Sequence, residues 1–203
     1  MEFPCLFSPI KIKDMELRNR IVMTAMHLNY TPDGFVNDRL IDFYTARAKG
    51  GAGFIIAGGC LIDELGGMSG MIRIDNDRYI PGLKRLTASV KNEGAKIAAQ
   101  LYQAGRYVHS SMIGGQKPFS ASAVRSTFTG ETPRALELDE IPGIQDRFAE
   151  AGDRAKRSGF DAVEILGSAG YLISQFLSPL TNLRKDRYGG SFENRMRFGI
   201  EVT

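Results

Sequence analysis

Four short apolar runs, Arg20–Thr24, Gly53–Ala57, Lys96–Leu101 and Ala162–Leu166, alternate along the chain with four segments of helical periodicity. Strands whose connections are helices pair side by side as parallel βα units, with the helices covering the sheet. The punctuation agrees with this reading. The first helix starts at about Asn37, shows Leu40, Ile41, Tyr44 and Ala48 on one face, and closes at Lys49-Gly50-Gly51. Pro81 opens the second, whose Leu83, Leu86 and Val90 form a stripe ending at Gly94. The third carries Ile144, Phe148, Ala151 and Ala155 on one side and stops at Ser158-Gly159, and the fourth begins at Ser191, a natural N-cap.

This is the α/β class, and its simplest closed form is the (β/α)8 TIM barrel, which needs roughly 250 residues. Four units in 203 residues are therefore read as the first half of one such domain, residues 1–203. The last stretch, Asn194–Thr203, keeps a helical pattern and ends without Gly, Pro or a cap, so the chain is expected to stop inside its fourth helix. Residues 1–17 are expected to form a lid over the barrel's bottom or a short hairpin.

Composition removes several function classes. A net charge of +3, from 26 basic and 23 acidic residues spread along the chain, with no Trp, gives no basic stripe interleaved with aromatics; nucleic acid is not an expected partner. Apolar runs are strand-sized, so no membrane span is expected. Cys5 and Cys60 lie far apart in a chain with no signal peptide, which points to a reducing, cytoplasmic setting without a disulfide framework. No Cys/His cluster suggests a metal site.

Residues able to carry chemistry fall at the carboxyl ends of the runs, where barrel enzymes place their active sites. Thr24-Ala25-Met26-His27 follows the first, Gly58-Gly59 opens a loop after the second, Gln100 ends the third, and Leu166 to Tyr171 ends the fourth. The long polar segment from Gln103 to about Asp139 is a candidate binding loop. Each residue also has a plainer reading. His27 can be a loop histidine on a backbone carbonyl, Tyr171 an aromatic with a wet hydroxyl, Gln100 a satisfied strand-end amide, and Gly58-Gly59 a turn. Met68 and Met71 read as loop packing, and His109 and Cys60 as structural. Arg184, Arg187 and Arg195 are expected to pair with Asp186 or Glu193.

The segment Gly159–Asn194, together with Phe3–Pro9, Leu17–Met23, Tyr44–Gly51 and Gln100–Arg106, resembles the old yellow enzyme family, in the branch of 2,4-dienoyl-CoA reductase and related NADH:flavin oxidoreductases. The resemblance covers essentially the whole chain. It implies an FMN-binding barrel in which Thr24, Ala25, Met26, His27, Gly59 and Gln100 contact the flavin. It also implies that NAD(P)H is the reductant, an enone or enoyl compound the substrate, and Tyr171 the proton donor to its α-carbon. The chain departs from the wider family where His and then Asn or His grip the substrate carbonyl, for those substrate positions are Leu166 and Ala169. A 4Fe-4S cluster and FAD are implied only for a longer parent chain. Two rival expectations stand beside this one: an amine-oxidising flavoprotein of the trimethylamine dehydrogenase type, against which absent Trp weighs, and a non-catalytic half-barrel that associates with itself or a missing carboxyl-terminal half through open sheet edges.

Overall fold

A computed structural model describes residues 3–203. The described chain opens with the hairpin anticipated for its start, β1 (Ile10–Ile12) against β2 (Met15–Leu17), antiparallel with Ile10 opposite Leu17. Met1 and Glu2 lie outside the described residues. There follow β3 (Val22–Met23), α1 (Asp38–Lys49), β4 (Phe54–Leu61), β5 (Ile72–Arg73), α2 (Ile80–Asn92) and β6 (Lys96–Tyr102). After β6 come β7 (Phe119–Ser120), β8 (Arg134–Ala135), α3 (Ile141–Arg157), β9 (Ala162–Ile165), α4 (Leu172–Leu177) and α5 (Phe192–Val202). Among the described residues no helix is long and apolar enough to cross a membrane.

The chain divides into two compact units. The first comprises, among the described residues, 3–60, 69–101 and 152–164 and holds nearly all of the main sheet, ordered β3-β4-β6-β9 with β5 beside β4. β3 and β4 are parallel, Val22 facing Phe54 and Met23 facing Ile55. All eight residues of β4 are buried, as expected of a strand covered on both faces. Leu17, Phe54, Ile56 and Ala98 form one cluster, with Ile10, Met15, Ala25 and Ala162 against it, so the hairpin closes over one end of the sheet. Each fully buried aliphatic side chain contributes about 1.5–3 kcal/mol.

Helix starts follow side-chain chemistry. Asn37 Oδ1 accepts from Leu40 N at 3.0 Å and so satisfies one of the free first-turn donors, while its Nδ2 donates to Tyr30 O at 2.7 Å. Thr87 on α2 donates at 2.6 Å to Ser158 O, just past the end of α3.

The second unit comprises residues 61–68, 102–151 and 165–203. The segment after β6 is more ordered than a loop. It contains 3-10 turns at Gly105–Tyr107 and Ser110–Ile113 and the parallel pair β7–β8. The region between Tyr171 and Ser191 begins with α4, a short helix packed on α5 through Phe176 and Phe198, whose rings stack at 4.2 Å. Ser191 caps α5 by accepting from Asn194 N. Arg184 pairs with Asp186 as expected. Arg187 instead donates to the Tyr188 hydroxyl at 3.0 Å, and Arg195 to the carbonyls of Leu177 and Gly190, which the end of α4 and the turn before α5 present to it.

Candidate active site

In the first unit Ala25, just past β3, meets Gly58 and Gln100, each in the carboxyl half of its strand, β4 and β6. A Cβ placed on Gly58 would lie 2.7 Å from Gln100 Cβ, 3.2 Å from Ala25 Cβ and 3.2 Å from Gln100 Oε1. Only glycine lets both side chains lie against the strand backbone. The Gly58-Gly59 pair does not open a loop: both residues, and Cys60 and Leu61 after them, belong to β4, joined by a cis peptide between the glycines. The Gly58 N–H donates to the phenol of Tyr44, a buried α1 side chain whose ionisation is pushed well up by burial. Burial likewise pushes the Cys60 thiol up to about 12, in keeping with a structural role.

Gln100 Nε2 donates to Glu164 Oε1 on β9 at 2.5 Å. This leaves the amide one N–H and its carbonyl oxygen for a further partner. Glu164 was not legible as a site residue, since it sits inside an apolar run 64 positions from Gln100. Thr24, Met26 and His27 are exposed on the segment leaving β3. Met26 and His27, with Leu28, Tyr30, Tyr44, Gly58 and Met71, border a cavity of about 10 Å³, room for one water.

A flavin ring needs a floor without protruding side chains and polar groups for its pyrimidine edge. Ala25, Gly58 and Gly59 meet the first need, and the uncommitted half of the Gln100 amide meets the second. The residues present therefore fit the group.

In the second unit Tyr171 is the residue preceding α4, delivered by the turn Gly167–Gly170. Ala169 sits at φ 59° and Gly170 at φ 78°, both left-handed. At Ala169 that conformation costs energy that a surrounding network must offset. A Cβ on Gly170 would meet the Tyr107 ring at 2.8 Å, so close approach also requires glycine there. The Tyr171 ring lies edge-on to Tyr102, centroids 4.6 Å apart, and 6.0 Å from Tyr107. Tyr102 is buried with its hydroxyl unpaired by ordinary hydrogen-bond geometry; burial, and then the adjoining Tyr171, push its ionisation far up. Leu166 is half-buried and Ala169 exposed, and neither side chain can donate a hydrogen bond. His109 of this unit pairs with Glu131, whereas Met71, in the first unit, is buried as packing.

Elsewhere in this unit Asp63 is buried and receives Gln103 Nε2 on both oxygens at 3.2 Å, Leu65 N at 2.9 Å and Arg147 Nη1 at 3.3 Å. Desolvation outweighs these partners and holds its carboxyl above the usual range.

Residues 5–203 match the family described as NADH:flavin oxidoreductase / NADH oxidase. The chain belongs to this family. It is 59% identical over 198 residues to a metal reductase of Desulforamulus reducens and 45% identical over 203 residues to an NADH oxidase of Thermoanaerobacter brockii, each alignment covering 98% of this chain. It spans only 30% and 31% of those two relatives. Among solved structures, morphinone reductase in complex with tetrahydroNAD aligns with a TM-score of 0.94 at 36% identity, over 98% of this chain and 59% of that one. The family's old yellow enzyme TIM barrel is thus the fold to which these βα units belong, about half of it being present.

Proposed function

We propose that the chain is part of an FMN-dependent oxidoreductase that draws hydride from NAD(P)H and reduces an activated C=C bond, with Tyr171 giving the second hydrogen as a proton. The observation that carries the reading is the convergence of Ala25, Gly58 and Gln100 at one sheet end in a member of a flavin oxidoreductase family. When bound, FMN supplies hydride transfer between the nicotinamide and the substrate.

The chain's own residues have separable tasks. Ala25 and Met26 pack beneath the flavin ring, Gly58 and Gly59 admit it to the strand, Gln100 pairs with its pyrimidine edge, and Thr24 and His27 border it. Glu164 holds the Gln100 amide in one orientation, with the carbonyl oxygen presented. Tyr171 protonates the substrate carbon, general acid catalysis of a kind that contributes ~10²–10⁴ in rate. Leu166 and Ala169 leave the substrate's carbonyl without the usual grip.

That missing grip favours a second reading in which the acceptor needs no carbonyl binding, as the name of the metal reductase relative suggests. One experiment separates the two. The FMN-loaded protein is mixed with NADH and either a cyclic enone or a soluble ferric chelate, with Tyr171→Phe run beside it. The first reading expects the enone rate to fall at least tenfold and flavin reduction to hold. Unchanged enone turnover in Tyr171→Phe rejects Tyr171 as the donor.

A further inference from the structure

Gln175 lies on α4, one turn after Tyr171, and is only 1% exposed. Its amide spends every hydrogen-bonding function it has. Nε2 donates to Gly170 O at 2.7 Å and Ala104 O at 3.0 Å, while Oε1 accepts from Arg106 N at 3.1 Å and Ser120 Oγ at 2.9 Å. The Gly170 carbonyl belongs to the peptide that carries Tyr171, so the shortest of these bonds fixes the plane from which the Tyr171 side chain projects. Ala104 and Arg106 lie on the segment joining Tyr102 to Tyr107, the two rings against Tyr171. Leu172 N donates to Gln103 O at 3.1 Å, tying the same two segments along their backbones.

Sequence and packing accommodate this amide at some cost. Gly105 has φ 60°, and a Cβ there would fall 2.1 Å from Gln175 Oε1. The left-handed Ala169 lies on the strand side of the clamp, in the turn whose end Gln175 holds. A buried amide satisfied at all four positions is rigid and intolerant of replacement.

We propose that Gln175 is a positioning residue for Tyr171, setting the placement of the phenol through the Gly170 carbonyl and of its two flanking rings through Ala104 and Arg106. The proposal rests on the reading of Tyr171 as proton donor. Gln175→Met keeps volume and removes all four bonds; Gln175→Glu keeps shape and removes both donors, providing a second variant should the first fail to fold.

Two measurements test it. In the first, the protein carries ring-¹³C tyrosine and the Tyr171 signal is assigned with Tyr171→Phe. The variants are expected to move or broaden that signal while those of Tyr44 and Tyr79, in the other unit, hold; an unmoved Tyr171 signal overturns the proposal, whatever the turnover. In the second, the FMN-loaded protein is followed by stopped flow with NADH and then a cyclic enone. Reoxidation by the enone should slow roughly 10- to 100-fold, as expected for ångström-scale misplacement, with flavin reduction by NADH unchanged, and Gln175→Met/Tyr171→Phe should be no slower than Tyr171→Phe. Equal losses in both half-reactions, or full speed in both, would overturn it. If Tyr171→Phe alone reoxidises at the normal rate, the donor assignment fails, and the ring signals still decide whether Gln175 places that side chain.

Discussion

Asn182 offers a stringent test of how the turn before α5 is held. The side chain is 4% exposed; Nδ2 donates to Phe176 O at 2.6 Å and Tyr188 O at 2.7 Å, and Oδ1 accepts from Arg184 N at 3.1 Å. Replacement by Leu leaves two buried carbonyls and one N–H without their partner. At about 1–3 kcal/mol for each stranded group, with water reaching the less enclosed of them, the loss is expected to be about 3–5 kcal/mol, a large share of the ~5–15 kcal/mol typical of a folded domain. Asn182→Asp keeps the acceptor for Arg184 but sets carboxylate oxygen against two carbonyl oxygens, so at neutral pH it should cost more than Leu. Urea unfolding followed by circular dichroism gives both values if the slopes of the transitions match. A loss below about 1 kcal/mol for Leu, or an Asp variant as stable as the Leu variant, would refute the argument from donor direction.

Three further outcomes follow from the packing. Gly58→Ala must push aside the stem of Gln100, at about 1–3 kcal/mol for an overpacked site, and should weaken FMN retention on desalting at least tenfold; undiminished retention would show that Gln100 does not meet the flavin. Asp63, held above its unfolded value by burial, stabilises the fold most fully below the ordinary carboxylate range, and that stabilisation is lost as pH rises through the folded value. The advantage of wild type over Asp63→Asn in urea midpoint should therefore shrink as pH rises, and growth with pH would reverse the assignment. Buried Cys60 and exposed Cys5 should separate in a thiol titration, with Cys5 reacting at once and Cys60 only on unfolding; two fast thiols would contradict the burial of β4.

The elements were readable where one side chain carries the signal. Asn37 and Ser191 announce helix starts because each can accept from the first-turn N–H groups, and Gly94 and Gly159 announce ends because they take up left-handed φ. Gly58-Gly59 misled for the complementary reason. Gly-Gly signals a turn locally, whereas here the missing side chain answers to Gln100 and Ala25, neighbours brought in from other strands. At six residues α4 is too short to display a helical period, and its position between Gly170 and Pro179 favours loop. A signal for Gln175 was present all the same: a single amide within the run Leu172-Ile-Ser-Gln-Phe-Leu177 will be buried, and a buried amide needs partners. The Gln100–Glu164 pair left no such trace, because its two halves meet only once β6 and β9 lie side by side.

The edge-on contact of Tyr171 with Tyr102 and Tyr107 has an optical consequence. The chain has seven tyrosines and no tryptophan, so the near-ultraviolet dichroism of its aromatic side chains is dominated by phenols. Two of them, Tyr102 and Tyr107, have centroids 4.6 and 6.0 Å from that of Tyr171, close enough for their transition dipoles to couple with it. The ellipticity of the unlabelled protein is then a built-in gauge of the angle between these rings, readable on any variant without a chromophore being added.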